Sequence, residues 1–380
     1  MTASTSSEPQ KGPVIRLPIG TCIRGELIGT GGQAEVFRGV LRYPHDRERP
    51  CALKFLHSKH ASSDRAVAQF VREAMLGLAL TSEHPNIVTT RGFGQTDEGR
   101  LFLVTDLVEG PTVAQAAKLL RDEHALIRAV TDGALYALDH LHRHGYIHCD
   151  VSMGNLMMSR DGRVKLVDLG MVRRQESLFT APMGVAAYKS PEELSRIGVT
   201  PLSDLYSLGA VLYEVLQGYP PYGAHSFIEV HRRMQQGPPA PLPTTTPDDL
   251  RDLVTGLMNH DPDERLTLEE AAEILDRTNS VRFGEEIAKF VARWKAVGSP
   301  SMSEQETLVG FSGRIVQPPQ PQAGQDQTQA QQTPDTQELK VAAPAAVNYT
   351  EPGCSSTSSV GLYQHVGTAL SGRDYWAVDG

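Results

Sequence analysis

Three oxygen-bearing side chains sit on short turns between apolar runs: Asp150 and Asn155 in HCDVSMGN, and Asp168 in VKLVDLG. Hard cations such as Mg2+ take oxygen ligands and are commonly shared between protein side chains and the phosphates of a substrate. A carboxylate left off the metal can orient and deprotonate a hydroxyl. Upstream, IGTGGQAEV (Ile28 to Val36) places Gly29, Gly31 and Gly32 between two strand-like runs. Residues without Cβ let backbone N–H groups approach a polyphosphate, although a plain glycine-rich hairpin has the same composition. The stretch lacks the GKS or GKT ending of a P-loop, and no helix starts directly after it. A P-loop NTPase and a dinucleotide fold are both disfavoured. Lys54 lies in the apolar run CALKFL. A cation there is costly to bury unless an anion meets it. Glu73, in the following helical stretch, is a candidate anion; a snorkelling surface lysine is the plain alternative.

The elements that must position these groups fall into two sets. CIRGELIGTGG, AEVFRGVL and CALKFL alternate or run apolar between turn residues, as strands do. SSDRAVAQFVREAMLGLAL has helical spacing, with Ser62 or Ser63 as its N-cap and Asp64 in its first turn. Two further strands are expected around NIVTTRGFG and RLFLVTDLV. The remainder reads as helical. Apolar side chains at 126, 127, 130, 134, 135, 138 and 141 form one stripe of a long helix. DLYSLGAVLYEVLQG is apolar nearly all round, which predicts a buried helix. The pattern is α+β, a small sheet lobe followed by a larger helical lobe with a ligand cleft between them.

The chain has 380 residues, 40% of them hydrophobic, and a net charge of -9. No excess of cations exists to pair with nucleic acid or a membrane surface. Cys22, Cys51, Cys149 and Cys354 form no metal-ligand spacing and read as free thiols in a reducing cytoplasm. The N-terminus, MTASTSSEPQKGP, lacks the apolar core of a secretory signal, and no apolar run is long enough to span a bilayer. Residues 1–20 are expected to be flexible. Composition changes near residue 298: from Gln317 to Gln337, nine of 21 residues are Gln. Such a segment buries too little apolar surface to offset its ordering entropy, so 299–380 reads as a disordered tail. Its apolar end, GLYQHVGTAL and DYWAVDG, is a candidate docking segment for partner proteins, and EQETLVG around Thr307 is a candidate modification and docking site. His140, His142 and His144 lie near Cys149, but polar residues at a helix C-terminus explain them without a metal.

Taken as a set, these motifs resemble the eukaryotic-type protein kinases, most of all soluble bacterial Ser/Thr kinases. The resemblance covers residues 21–280 and implies a kinase domain over 21–298, with lobes at 21–108 and 109–298. It also implies ATP and Mg2+ as cofactors and protein substrates as partners. GTGGQAEV corresponds to the glycine-rich loop over ATP, and Lys54 to the lysine that holds its α- and β-phosphates, with Glu73 as helix partner. Asp150 would be the catalytic base; Asn155 and Asp168 would be the metal ligands. Val36, Ala52 and Met157 correspond to residues that sandwich adenine. Thr105 corresponds to the gatekeeper, and the Asp106 carbonyl and Val108 amide to the groups that meet the adenine edge. Glu192 of SPE would pair with Arg265, and Asp204 would brace the catalytic loop.

Three positions depart from that family. Ser152 replaces the lysine two residues past the base, Val185 replaces the threonine that braces it, and Cys149 replaces the arginine beside the base. Arg173, Arg174 or Lys189 are candidates for supplying the missing charge. Loss of the arginine predicts weak dependence on phosphorylation at Ser177 or Thr180. Two other readings remain in view: a nucleotide-binding pseudokinase scaffold, and a small-molecule phosphotransferase that shares the base and metal residues.

Overall fold

A computed structural model describes residues 14–81, 84–175, 182–223, 226–275 and 280–297. All of them belong to one unit of the chain. Residues 1–13, Ser177, Thr180, Thr307 and the whole 299–380 segment lie outside the described residues.

The N-terminal lobe is built on β1 (Val14–Leu17), β2 (Gly20–Thr30), β3 (Ala34–Arg42) and β4 (Glu48–Leu56). Helix α1 (Asp64–Leu80) follows, and then β5 (Thr90–Gln95) and β6 (Leu101–Asp106). The strands form one antiparallel sheet in the order β1-β2-β3-β4-β6-β5. It starts at Val14, ahead of residue 21 where the sequence places the domain start. The pairing of Ile15 with Cys22 and of Leu17 with Gly20 draws this part of the polar N-terminus into the sheet.

Register sorts the side chains onto two faces. Val36 pairs with Lys54, and Ala52 with Thr105, so all four lie on one face. The other face carries Leu41, Cys51, Leu53, Phe55, Phe102 and Val104, which bury together with Leu17 and Cys22. Each such side chain contributes about 1.5–3 kcal/mol on burial. Gly39 is required where β3 passes through this core. A Cβ there would lie 2.8 Å from Leu53 Cδ1 and 3.0 Å from the Ile23 carbonyl. Across that gap the Cys22 and Cys51 sulfurs are 3.2 Å apart as free thiols. The neighbouring Cys51 thiol and burial push Cys22 far above the usual thiol range.

Ser63 caps α1 by accepting from the Ala66 N–H, and Asp64 supplies the first-turn acid. The chain then crosses to the helical lobe through 107–112. Gly110 is needed there, because a Cβ would fall 1.8 Å from the Met158 carbonyl. The second lobe opens with α2 (Val113–Leu120) and α3 (His124–Arg143). All seven positions of the α3 stripe are buried. Four short strands follow: β7 (Tyr146–Ile147), β8 (Leu156–Met158), β9 (Val164–Leu166) and β10 (Arg173–Arg174). β8 pairs with β9 and β7 with β10. Helices α4 (Pro191–Leu194), α5 (Pro201–Gln217), α6 (Phe227–Gln236), α7 (Asp248–Leu257), α8 (Leu268–Ile274) and α9 (Ser280–Val297) complete the lobe. α5 is buried nearly all round, as its composition predicts, and stops at Gly218 in the left-handed region (φ 90°). Among the described residues no helix is long and apolar enough to cross a membrane.

Candidate active site

Lys54 stands at the centre of the site. Its ammonium donates to Glu73 Oε1 at 2.7 Å and to Asp168 Oδ1 at 3.1 Å. β4 supplies the lysine, α1 the glutamate, and the turn after β9 the aspartate. One cation therefore joins three elements of both lobes. Burial works against the ammonium, but Asp168 and Glu73 outweigh it and raise the lysine's pKa. Burial likewise opposes ionisation of Asp168, yet Lys54 and the Gly170 N–H hold its carboxyl below the usual range. One ammonium cannot fully compensate two carboxylates. Burial and the Asp168 charge push Glu73 up to about 7, against the pull of Lys54.

The backbone turns sharply at both acids. Cys149, beside Asp150, has φ 62°, and Asp168 has φ 64°. Such conformations cost about 1–3 kcal/mol each and persist only when the surroundings fix them. Asp204 Oδ1 accepts from the Cys149 N–H and its Oδ2 from the His148 N–H, both at 2.8 Å. Asp204 Oδ2 is in turn 2.8 Å from His142 Nε2. This brace is the one expected of Asp204, and it gives His142 a task the sequence does not reveal.

The Asp150 carboxylate is held from two sides. Asn155 Nδ2 donates to Oδ2 at 3.0 Å and to the Asp150 carbonyl at 2.8 Å; the Val185 N–H donates to Oδ1 at 3.2 Å. Gly184 makes the second approach possible, since a Cβ there would lie 2.1 Å from Asp150 Oδ1. The Val185 contact comes from the backbone, so it survives the loss of a threonine hydroxyl. The Asn155 carbonyl accepts from the Val167 N–H at 2.9 Å, which places Asn155 beside the Asp168 turn. Asn155 and Asp168 both carry oxygen donors of the kind Mg2+ takes.

The remaining predicted residues fall around this centre. Val36, Ala52 and Thr105 share the sheet face of Lys54. Met157 is half-buried in β8, bridged to Thr112 just past the crossing segment. Val108 lies in that segment. The Asp106 carboxylate turns to the other face, where Arg91 and Arg49 hold it. Gly29 pairs with Val36. Neither Gly31 nor Gly32 adopts left-handed backbone. A Cβ at Gly32 would meet nothing within 4 Å, and one at Gly31 only the Ala34 carbonyl at 3.8 Å. Local packing does not demand glycine here, and the open space over the loop suits a phosphate chain.

Lys189, one candidate for the missing charge, is engaged by other groups in the structure. It is 2% exposed and donates to the Cys149 carbonyl and to Glu193 Oε1 at 3.2 Å. Arg174 sits over the Tyr146 ring at 5.7 Å. Glu192 and Arg265 form the expected buried pair, with bonds of 2.8 and 3.0 Å. Next to it, the Tyr188 hydroxyl donates to Glu214 Oε2 at 2.8 Å, and burial raises Glu214 to about 7.

Comparison with known proteins agrees with this geometry. Residues 23–275 match the protein kinase domain. The chain is 36% identical over 207 residues to the DNA damage-responsive serine/threonine-protein kinase RqkA of Deinococcus radiodurans, a match covering 52% of this chain and 30% of that protein. It is 33% identical over 259 residues to a probable serine/threonine-protein kinase of Streptomyces coelicolor, covering 63% and 37%. It is 32% identical over 239 residues to the serine/threonine-protein kinase PknA of Mycobacterium tuberculosis, covering 60% and 54%. The chain therefore spans about a third to a half of the length of these curated relatives. The matched segment contains every residue of the site, and the chain belongs to the protein kinase domain family.

Proposed function

We propose that this chain is an ATP-dependent serine/threonine protein kinase that also phosphorylates itself. The observation that carries the reading is the Lys54 ammonium bonded to both Glu73 and Asp168. Lys54 and the loop at Gly29, Gly31 and Gly32 hold the phosphates of ATP. Val36, Ala52, Thr105, Met157 and the backbone of Asp106 and Val108 form the adenine site. Asn155 and Asp168 would hold Mg2+, which would supply neutralisation of phosphate charge. Asp150 accepts the proton of the substrate hydroxyl as its oxygen bonds to the γ-phosphorus. The bond to the bridging oxygen breaks and its electron pair leaves on ADP.

Similarity to proteins named serine/threonine-protein kinases supports serine and threonine as acceptors. The 299–380 segment, with Thr307, is read as a docking and autophosphorylation region. The same reading places the protein in the cytoplasm, where ATP is supplied and thiols stay reduced. The missing cation at 152 lowers the rate without abolishing it. Losing one electrostatic stabiliser costs roughly 10²–10³ in rate, against about 1–100 turnovers per second for kinases.

The test is transfer of radiolabelled γ-phosphate to a generic protein substrate by wild type and Asp150→Asn with Mg2+. The expected result is label on serine or threonine that disappears in the variant. A wild type that is stabilised by ATP yet transfers no label overturns the reading in favour of a nucleotide-binding scaffold.

A further inference from the structure

Two imidazoles reach the tip of the glycine loop. His57 Nε2 lies 2.8 Å from the Gly31 carbonyl oxygen, and His60 Nε2 lies 3.1 Å from the Gly32 carbonyl oxygen. A carbonyl can only accept, so each ring nitrogen carries the proton and donates. Both histidines follow β4. His57 extends its ladder through a bond from its N–H to the Gln33 carbonyl at 2.9 Å, and His60 ends the 3-10 turn Ser58–His60.

Strand alternation says which side the His57 ring occupies, and the His60 ring lies 6.4 Å from it. Lys54 and Leu56 point to the cleft face, so Phe55 and His57 point to the opposite one. The charged neighbours agree: Glu35, opposite Phe55, is bound by Arg100, and His57 helps to hold its carboxyl low after that Arg100 bond. The C=O and N–H of a trans peptide point in opposite directions. Holding the Gly31 carbonyl toward the imidazole side turns the Gly32 N–H toward the cleft. Holding the Gly32 carbonyl does the same for the Gln33 N–H. These glycine peptides have no Cβ to prefer one orientation over its flipped form. On the Gly31 side, the other tie is the bond from its own N–H to the Ala34 carbonyl at 2.8 Å.

We infer that His57 and His60 are positioning residues that fix the Gly31–Gly32 and Gly32–Gln33 peptides with their N–H groups toward the phosphates of the nucleotide. The inference rests on the ATP-binding reading above and adds to it a pair of side chains outside the cleft. It also explains why a loop without left-handed or packing requirements for glycine can stay ordered as an anion cradle: the side chains that orient it come from the β4–α1 connection.

The test compares Mg·ADP with adenosine by calorimetry on the full chain. His57→Phe/His60→Phe keeps both rings and removes both donors. His57→Gln/His60→Gln keeps an amide donor at each position. Two hydrogen bonds of ordinary net strength predict about a tenfold loss of Mg·ADP affinity in the Phe double variant. Adenosine, which has no phosphates, is expected to change less than about twofold, and the Gln double variant is expected to recover most of the loss. Unchanged Mg·ADP affinity overturns the inference, as does an equal loss for adenosine, which would mark general damage to the lobe. A wild type that binds Mg·ADP no better than adenosine removes the phosphate cradle itself, and the proposed function with it.

Discussion

Lys54 and Lys189 are the same residue type in the same kind of pair, one in each lobe, yet their surroundings assign them opposite tasks. Each ammonium meets a glutamate, at 2.7 Å for Glu73 and 3.2 Å for Glu193. Lys54 keeps 20% of its side chain exposed to the cleft and spends its next bond on Asp168. Lys189 is sealed at 2% and bonds the Cys149 carbonyl. The first cation faces a space where phosphate charge can add to its partners. The second closes a clamp on a strained residue, because Asp204 takes the Cys149 N–H while Lys189 donates to its C=O. The pair alone does not define the task; the third partner does.

Removing each lysine is the strongest way to break this comparison. Lys54→Met is expected to lower phosphoryl transfer at least about 10³-fold, the upper range for a preorganised electrostatic group. Its effect on folding is expected to be the smaller of the two, since the Lys54 side chain is 20% exposed and that of Lys189 only 2%. Lys189→Met leaves Glu193 buried without its cation and the Cys149 carbonyl without its donor. Breaking a buried pair in this way costs about 3–5 kcal/mol, measurable as a drop in the urea midpoint. If Lys189→Met proves the more stable protein, the clamp has no energetic weight. If Lys54→Met retains transfer, the cleft is not organised around its cation.

What the sequence made legible follows the same division. The cleft side could be read because its residues sit in local patterns: a glycine run between strands, a lysine inside an apolar strand, and acids on turns between apolar runs. Ser63, the α3 stripe and the all-round apolar α5 were visible for the same reason, as caps and periodicities act over a few residues. The clamp made by Lys189 was not legible, because Cys149 comes from a loop 40 residues away that only the fold brings beside it. The Cys22–Cys51 contact escaped notice likewise, being made across an intervening strand at a glycine. β1 lay hidden in a polar terminus whose few apolar residues gain a face only by pairing with β2. His142 looked like helix-end polarity, and nothing nearby in sequence announces Asp204.

A third lysine, one that the chain lacks, sharpens the comparison with a smaller effect. Ser152 is buried two residues past Asp150, and Gly154 lies beside it, its added Cβ falling 3.9 Å from Ser152 Oγ. Asp150 is already fixed by Asn155 and by the Val185 N–H. These two bonds orient Asp150 without a lysine; on the proposed reading, what position 152 itself does not supply is a charge. Ser152→Lys is expected to raise kcat about tenfold, below the 10²–10³ typical of a native stabiliser, because the Val185 side chain offers no hydroxyl to hold the new ammonium. Affinity for Mg·ADP is expected to stay the same, since the proposed nucleotide contacts are Lys54, Asp168 and the glycine loop. Steady-state kinetics beside calorimetry separates these quantities. A fall in kcat at unchanged ADP affinity would mean that the loop has closed over Ser152 and that this side of the cleft works as a neutral acceptor site, with its lysine retired to the clamp at 189.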